Sequence, residues 1–124
     1  MTSILVIDDE ETIRKSFCRL LRSHGYDVRE AENGEQGLKA YQSSPADVVL
    51  LDVFMPVKDG IETLNALLLH DPKVRVIAMT GGGIYRNSNI LETTMCLGAC
   101  KILYKPITVQ DMKSAIEEAL AMTR

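Results

Sequence analysis

Apolar runs that alternate with amphipathic segments constrain the fold of this chain more than any other feature of its sequence. Residues 26–30 alternate between apolar and polar side chains, as expected of a half-exposed strand at the edge of a sheet. The other runs are largely apolar at consecutive positions, which is typical of parallel strands covered on both faces. These runs are residues 4–7, 48–51, 74–79 and 102–104. The sequence therefore predicts five strands, with the second at an edge.

Helical patterns occupy the segments between the strands. Asp59 with Glu62, and Thr108 with Asp111, have the spacing of an N-cap residue and its partner three positions on. A further helix is predicted over residues 87–97, ending at Gly98. The predicted inner faces are Ile13, Phe17, Leu20 and Leu21 in the first helix; Leu38 and Tyr41, after an Asn33-Gly34 start, in the second; Leu64, Leu67 and Leu68 in the third; and Met112, Ile116, Ala119 and Leu120 in the last.

Five successive strand–helix units predict an α/β fold, because right-handed crossovers place helices on both faces of a parallel sheet. The edge position of the second strand favours a doubly wound five-stranded sheet of order 2-1-3-4-5, the flavodoxin-like arrangement. The chain has 124 residues, of which 46% are hydrophobic and 25% charged, so one domain over residues 1–124 is expected.

Charge and cysteine content exclude several classes of protein. The formal net charge of −3 gives no basic excess for binding nucleic acid directly. No apolar stretch is long enough to span a membrane and no signal peptide is apparent, so we expect a cytoplasmic protein. Cys18, Cys96 and Cys100 are too few for a disulfide framework and lack the spacing of a redox pair.

Polar or charged residues end four of the five predicted strands, at the edge where doubly wound sheets bind ligands. They are Asp8, Asp9, Asp52, Thr80 and Lys105. Two carboxylates about 4 Å apart repel by roughly 4 kcal/mol at an effective dielectric constant of about 20, and one lysine does not balance three acids. A divalent cation would do so, and a site with few protein ligands suits Mg²⁺ better than Ca²⁺.

These residues also carry a family resemblance that covers essentially the whole chain. The motifs are Ile-Leu-Val-Ile-Asp-Asp-Glu at 4–10, Asp-Val-Phe-Met-Pro-Val-Lys-Asp-Gly at 52–60, Met-Thr-Gly at 79–81, Gly-Ala at 98–99 and Lys-Pro at 105–106. Together, at this spacing, they resemble the CheY-like receiver domain of two-component response regulators.

The resemblance implies a phosphoacceptor switch rather than a turnover enzyme. Asp52 would take a phosphoryl group from a phosphohistidine of a sensor kinase or a histidine phosphotransfer protein. Thr80 and Lys105 would contact the phosphoryl oxygens. The implied Mg²⁺ ligands are Asp8, Asp9, Asp52 and the backbone carbonyl of Phe54. Phosphorylation would change Thr80 and the loop and helix that follow it. This change would alter binding to a downstream protein or to an output domain absent from this chain. A phosphorylation-dependent dimer is a further possibility.

The chain departs from the family pattern where a signal would leave the site. The family usually has an aromatic residue three positions before the lysine of the fifth strand, whereas this chain has Ile102; Tyr104 stands next to Lys105 instead. The connection after Thr80 is longer than usual and begins with Gly81, Gly82 and Gly83. We interpret this connection as a mobile switch loop that carries the signal, with a merely loose surface loop as the alternative.

Two further positions carry expectations that rest on the resemblance. Phe54 is large and apolar where the family often has a polar side chain. Such a side chain could screen the acyl phosphate from water, so we expect slow self-dephosphorylation. The family often has a cis Lys–Pro peptide bond at this position, so the resemblance suggests that the Lys105–Pro106 bond is cis.

Other functions remain as alternatives at this point. The chain could be a degenerate receiver that serves as a protein-binding module. A phosphatase with Asp52 as nucleophile would need a second Asp at the position of Phe54, and a nucleotide or flavin module would need a glycine fingerprint after the first strand. Because the chain ends just past its last predicted helix, a free-standing receiver is slightly favoured over one cut from a longer regulator.

Overall fold

The computed structural model describes residues 1–53, 60–81, 95 and 98–122, which contain five strands and four helices. In chain order the elements are β1 (Ser3–Ile7), α1 (Glu11–Ser23), β2 (Asp27–Ala31), α2 (Gly34–Ser43), β3 (Val48–Asp52), α3 (Gly60–His70), β4 (Val76–Thr80), β5 (Lys101–Tyr104) and α4 (Val109–Ala121). The helix predicted over residues 87–97 lies outside the described residues except for Met95. Gly98, its predicted end, has a φ of 115°, the left-handed conformation common after helix C-termini.

The five strands form one parallel sheet of order β2-β1-β3-β4-β5, as predicted. Alternate residues of each inner strand point to opposite faces, so β1 contributes Leu5 and Ile7 to one core cluster and Ile4 and Val6 to the other. The first cluster lies under α2 and α3, and the second under α1 and α4. β2 lies at an edge, which explains its mixture of buried and exposed side chains.

Two leucines that were predicted to face inward are exposed. Leu20 and Leu120 are 38% and 37% exposed, so these two predictions are wrong. Each residue of a helix is rotated by about 100° from the one before it. The buried face of each helix is narrower than predicted, so Leu20 and Leu120 lie just outside it, next to the buried Leu21 and Ala119. The buried residues of the two stripes are Arg14, Phe17, Cys18 and Leu21 in α1, and Met112, Ala115, Ile116 and Ala119 in α4.

Side-chain caps start two of the helices where the sequence predicts them. Asn33 accepts a hydrogen bond from the backbone N–H of Gln36 at 2.8 Å, which fixes the start of α2. Thr108 and Asp111 form a reciprocal capping box at the start of α4. Asp59, the predicted cap of α3, lies outside the described residues. None of the helices in the described ranges has the length and apolar character needed to cross a bilayer.

Arginines from the sheet satisfy the C-terminal carbonyls of α2 and α4, neither of which has a basic residue in its own last turn. Arg29 of β2 donates to the carbonyl oxygen of Ala40 at 3.2 Å and to that of Ser44. Arg75, just before β4, donates to the carbonyl oxygen of Ala119 at 2.9 Å. Both contacts lie at the amino ends of the strands, because each helix runs back to that end of the sheet.

Ser3 and Asp47 join the starts of β1 and β3 at the same end. The backbone N–H of Ser3 donates to Oδ2 of Asp47 at 2.8 Å, and the backbone N–H of Asp47 donates to Oγ of Ser3 at 3.0 Å. The amino ends of the strands are therefore tied to each other and to the helices by side-chain hydrogen bonds.

Candidate functional site

The carboxyl ends of the inner strands bring the predicted site residues to one edge of the sheet. β1 leads directly into Asp8 and Asp9, β3 ends at Asp52, β4 ends at Thr80, and Lys105 follows β5. Carboxylate oxygens of the three acids lie within 4.8 Å of one another. More than forty positions separate Asp52 from Asp8 and Asp9 in the sequence, and the parallel register of β1 and β3 brings them together.

The site is largely buried, and a lysine contributes its positive charge. Asp8 is fully buried and Asp52 is 3% exposed, whereas Asp9 faces solvent. Nζ of Lys105 lies 3.2 Å from Oδ2 of Asp8 and 3.4 Å from Oδ2 of Asp52. Burial alone would lower the pKa of Lys105, but the charges of Asp52 and Asp8 and their hydrogen bonds outweigh it and raise that pKa. Lys105 therefore stays charged and offsets part of the negative charge of the acids.

The donor set fits a small, hard divalent cation. Ligand oxygens on opposite sides of a Mg²⁺ ion are about 4.2 Å apart, since each lies about 2.1 Å from the metal. The 4.8 Å spread of the three carboxylates is close to that distance. Mg²⁺ keeps several waters, which the exposed position of Asp9 permits. Among the residues that the structure describes, the three acids carry more charge than Lys105 offsets, so a bound cation would reduce their repulsion.

Thr80 ends β4 and Lys105 follows β5, and these two strands lie on the side of β3 away from β1. Thr80 is 1% exposed, and its carbonyl oxygen accepts a hydrogen bond of 2.7 Å from the backbone N–H of Lys105. The register places Asp52 opposite Met79, so Thr80 is the next residue along β4 past that pair. The two residues predicted to contact phosphoryl oxygens are thus linked directly through their backbones, next to the predicted acceptor.

The residues predicted to carry the signal are only partly described. Gly81 is half-buried directly after β4, whereas Gly82, Gly83 and Phe54 lie outside the described residues, so their predicted roles stay predictions. Ile102 is half-buried and packs against the core cluster under α2 and α3. Tyr104 lies two positions further along the same face of β5 and pairs with Thr80 in register. The Lys105–Pro106 peptide bond is cis, as the resemblance suggests.

The sequence reasoning missed Arg14, which touches the site from α1. Its Nη1 donates to the backbone carbonyl oxygen of Asp8 at 2.9 Å, and its Nε donates to Oε1 of Glu30 at 2.9 Å. Arg14 is 7% exposed and shares the buried stripe of α1 with Phe17. A lone basic residue on an otherwise apolar helix face is the signal that could have identified it.

Gly60, at the start of α3, belongs to the motif at 52–60, but the sequence reasoning gave it no role. A Cβ atom there would lie 2.1 Å from Cα of Val53 and 2.7 Å from the carbonyl oxygen of Asp52. The backbone N–H of Gly60 donates to the carbonyl oxygen of Val53 at 3.3 Å. The first turn of α3 therefore packs directly on the backbone that carries Asp52, which only glycine permits.

Comparisons with known proteins all find one kind of domain. The family profile of the response regulator receiver domain matches residues 4–117. Sporulation initiation phosphotransferase F of Bacillus subtilis (strain 168) is 32% identical over 96% of this chain and 94% of its own length. The transcriptional regulatory protein ZraR of Klebsiella oxytoca is 36% identical, and the chain spans 27% of that protein's length. The crystal structure of a receiver domain protein from Clostridium thermocellum matches with a TM-score of 0.89 and 34% identity, covering 97% of this chain and 94% of that one.

Proposed function

Because the chain belongs to the response regulator receiver domain family and is a phosphoacceptor switch of two-component signalling, we propose that Asp52 is the residue that accepts the phosphoryl group. The observation that carries this proposal is the position of its carboxylate, which is 3% exposed, lies 3.4 Å from Nζ of Lys105 and clusters with the two acids that follow β1. We also propose that residues 1–124 form one receiver domain, acting in the cytoplasm.

Asp52 takes the phosphoryl group by direct displacement. One of its carboxylate oxygens forms a bond to phosphorus while the P–N bond of a phosphohistidine breaks, and the electron pair of that bond stays on the imidazole nitrogen. Transfer of this kind depends mainly on in-line placement and on neutralising the charge of the phosphoryl oxygens. Burial holds the carboxylate of Asp52 in place, and the ammonium group of Lys105, 3.4 Å away, supplies positive charge on one side.

Asp8, Asp9 and Asp52, with the backbone carbonyl of Phe54, would hold Mg²⁺. When bound, the ion supplies charge neutralisation to the attacking and transferred oxygens. The support in this chain is the 4.8 Å spread of the three carboxylates and their excess charge over Lys105. Asp8 also accepts a hydrogen bond from the backbone N–H of Glu10 at 3.0 Å, which orients its carboxylate.

Thr80 and the segment after it carry the signal in this proposal. A phosphoryl group adds charge and three acceptor oxygens next to Thr80, whose hydroxyl can donate to one of them. Because Gly81 follows Thr80 directly, a shift of Thr80 would move the connection that begins there. We propose that the phosphodonor is a histidine kinase or a histidine phosphotransfer protein, and that the changed surface binds a downstream protein or an output domain, without direct binding to nucleic acid or membrane.

Labelling with a small phosphodonor tests this proposal. Purified protein with Mg²⁺ and acetyl phosphate should gain one phosphoryl group per chain, measured by intact-protein mass spectrometry. Asp52→Asn should abolish the labelling, whereas Asp47→Asn, which removes an acid at the opposite end of β3, should leave it unchanged. Labelling that persists in Asp52→Asn would exclude Asp52 as the acceptor.

The same experiment distinguishes the alternative functions. A phosphatase would hydrolyse many donor molecules per chain, and inorganic phosphate release would then continue long after the protein was saturated. A degenerate receiver would show neither labelling nor turnover. We expect one round of labelling followed by slow loss of the label, which makes the chain a switch and not a turnover enzyme.

A further inference from the structure

Arg14 binds the peptide that joins the first two acids of the site. The guanidinium is 7% exposed and donates through Nη1 to the carbonyl oxygen of Asp8 at 2.9 Å. That oxygen belongs to the peptide plane shared by Asp8 and Asp9, and the peptide bond is rigid. The direction of the Asp8 carbonyl therefore determines the direction in which the chain leaves toward Asp9.

Glu30 orients the guanidinium from the neighbouring strand. Its Oε1 accepts from Nε of Arg14 at 2.9 Å and also from Nζ of Lys15 at 2.9 Å. The register pairs Val6 with Glu30, so Glu30 projects from β2 beside the end of β1. The guanidinium is planar and forks between its two acceptors, which makes its position geometrically specific.

Arg14 uses a backbone oxygen at the site and leaves the carboxylates of the acids available. The carboxylate of Asp8 accepts instead from the backbone N–H of Glu10 at Oδ1 and from Lys105 at Oδ2. A second cation on those oxygens would compete with a metal ion. Arg14 holds the chain in place without that competition.

We infer that Arg14, oriented by Glu30, is a positioning residue that presents Asp8 and Asp9 to the divalent cation. This inference rests on the proposed function, in which these acids bind Mg²⁺. Partners that orient metal ligands typically contribute tenfold or more to metal affinity. Loss of the hydrogen bond to the Asp8 carbonyl should therefore weaken Mg²⁺ binding without removing any ligand.

The chain offers a matched control for this test. Arg22, on the same helix, donates from Nη2 to the carbonyl oxygen of Val28 at 2.9 Å, far from the acids. Arg14→Met and Arg22→Met each remove one arginine–carbonyl contact of α1, so an effect of losing such a contact anywhere on this helix would appear in both. Only Arg14→Met should raise the dissociation constant for Mg²⁺, by about tenfold, in calorimetric titration of the folded, metal-free proteins with MgCl₂.

A second readout needs no metal. The backbone N–H of Glu10 is bonded to Oδ1 of Asp8, so its hydrogen exchange reports how well the first acid is held. Arg14→Met should speed exchange of this amide about tenfold relative to both the unaltered protein and Arg22→Met.

Variants of Glu30 keep the test decisive if Arg14→Met does not fold. Glu30→Gln keeps an oxygen that can accept from Nε of Arg14, and Mg²⁺ binding should stay within about twofold of the unaltered protein. Glu30→Ala removes that acceptor and should weaken binding by at least about threefold.

The outcomes separate this inference from the proposed function. Weaker binding in Arg14→Met with normal binding in Arg22→Met supports the inference. Binding in Arg14→Met within twofold of the unaltered protein, or equal binding in the two Glu30 variants, overturns it while leaving the metal site intact. An unaltered protein that binds no Mg²⁺ at all overturns both.

Discussion

Nζ of Lys105 lies 3.4 Å from Oδ2 of Asp52, although 53 positions separate the two residues in the chain. The strands that carry them are not neighbours, because β4 lies between β3 and β5. Lys105 thus reaches across the end of β4 to a buried carboxylate, and from there it also contacts Asp8. Within the described part of the chain, this ammonium group contacts both acids and offsets part of their negative charge.

Removing that cation should destabilise the protein in the absence of metal. The side chain of Lys105 is 18% exposed, and Lys105→Met leaves two buried carboxylates without it. We expect a loss of about 3 kcal/mol in the free energy of unfolding, measured with urea in metal-free buffer. Added MgCl₂ should recover most of the loss, because the ion replaces the missing positive charge.

Lys39→Met is the control for that variant. Lys39 forms an exposed pair with Glu35 at 3.7 Å, and such surface pairs contribute less than about 1 kcal/mol. Lys105→Met that is as stable as the unaltered chain without Mg²⁺ would contradict the proposed charge balance.

Adding one methyl group at Gly60 should disturb the site. In Gly60→Ala the new Cβ meets the backbone of Val53 and Asp52, and neither can move away without moving the carboxylate of Asp52. We expect a loss of about 3 kcal/mol in unfolding free energy, together with reduced labelling by acetyl phosphate. Gly25→Ala is the comparison: its Cβ meets no atom within 4 Å, and only the φ of 90° opposes it. Gly25→Ala should lose about 1 kcal/mol in unfolding free energy and label normally. If labelling falls equally in both variants, the effect does not come from the close approach of Gly60 to the backbone of Asp52.

Arg75 should contribute to stability through its two hydrogen bonds and not through its charge alone. It donates to the carbonyl oxygens of Ala119 at 2.9 Å and Met122 at 3.1 Å, at the end of α4. Arg75→Ala should lower the unfolding free energy by about 2 kcal/mol, because charged donors are removed from helix-end carbonyls. Arg75→Lys keeps the charge but lacks the forked geometry, so it should recover only part of the loss in thermal or urea unfolding. Full recovery by lysine would show that charge is what matters.

The pH dependence of stability should include a contribution from Glu30. Hydrogen bonds from Arg14 and Lys15 hold the pKa of this carboxyl below its usual value in the folded protein. The ionised group therefore stabilises the fold above its unfolded pKa of about 4.3, and that stability is lost as the pH falls through the lower folded value. Glu30→Gln removes this titration, so its unfolding free energy should fall less steeply below about pH 4.3 than that of the unaltered protein.

Glu35→Gln serves as the comparison for that measurement. The side chain of Glu35 is 64% exposed and its pair with Lys39 contributes little. Glu35→Gln should cost less than about 1 kcal/mol in unfolding free energy at neutral pH. For Glu30→Gln, a slope in acid equal to that of the unaltered chain would refute the prediction.

The fold could be predicted from the sequence because the inner strands β1, β3 and β4 are buried on both faces of the sheet. Runs such as residues 48–51 leave no polar face, so only a central parallel strand accommodates them, and the mixed pattern of β2 places that strand at an edge. The edge position then favours the observed order. Helix faces were less certain, since a leucine such as Leu120 can border the buried stripe without belonging to it.

The sequence predicted which of the described side chains lie together at this edge of the sheet, but not the contacts that hold them in place. Strand ends place Asp8, Asp52 and Lys105 at one edge by topology alone, so their types and positions in the sequence suffice. The hydrogen bond from Arg14 depends on which way one side chain turns inside a packed face, and the need for Gly60 depends on how closely α3 approaches β3. Neither distance follows from a pattern of residue types.

Three sets of hydrogen bonds lie at the end of the sheet opposite Asp52. They join Ser3 to Asp47, Arg29 to the end of α2, and Arg75 to the end of α4. None of these hydrogen bonds involves Asp52 or the two acids that cluster with it. These hydrogen bonds hold the amino ends of the strands in register, so we expect a change of charge at Asp52 to act mainly at the carboxyl ends. Phosphorylated and unmodified chains would then differ mainly at that end of the sheet, and a partner that distinguishes the two states must bind there.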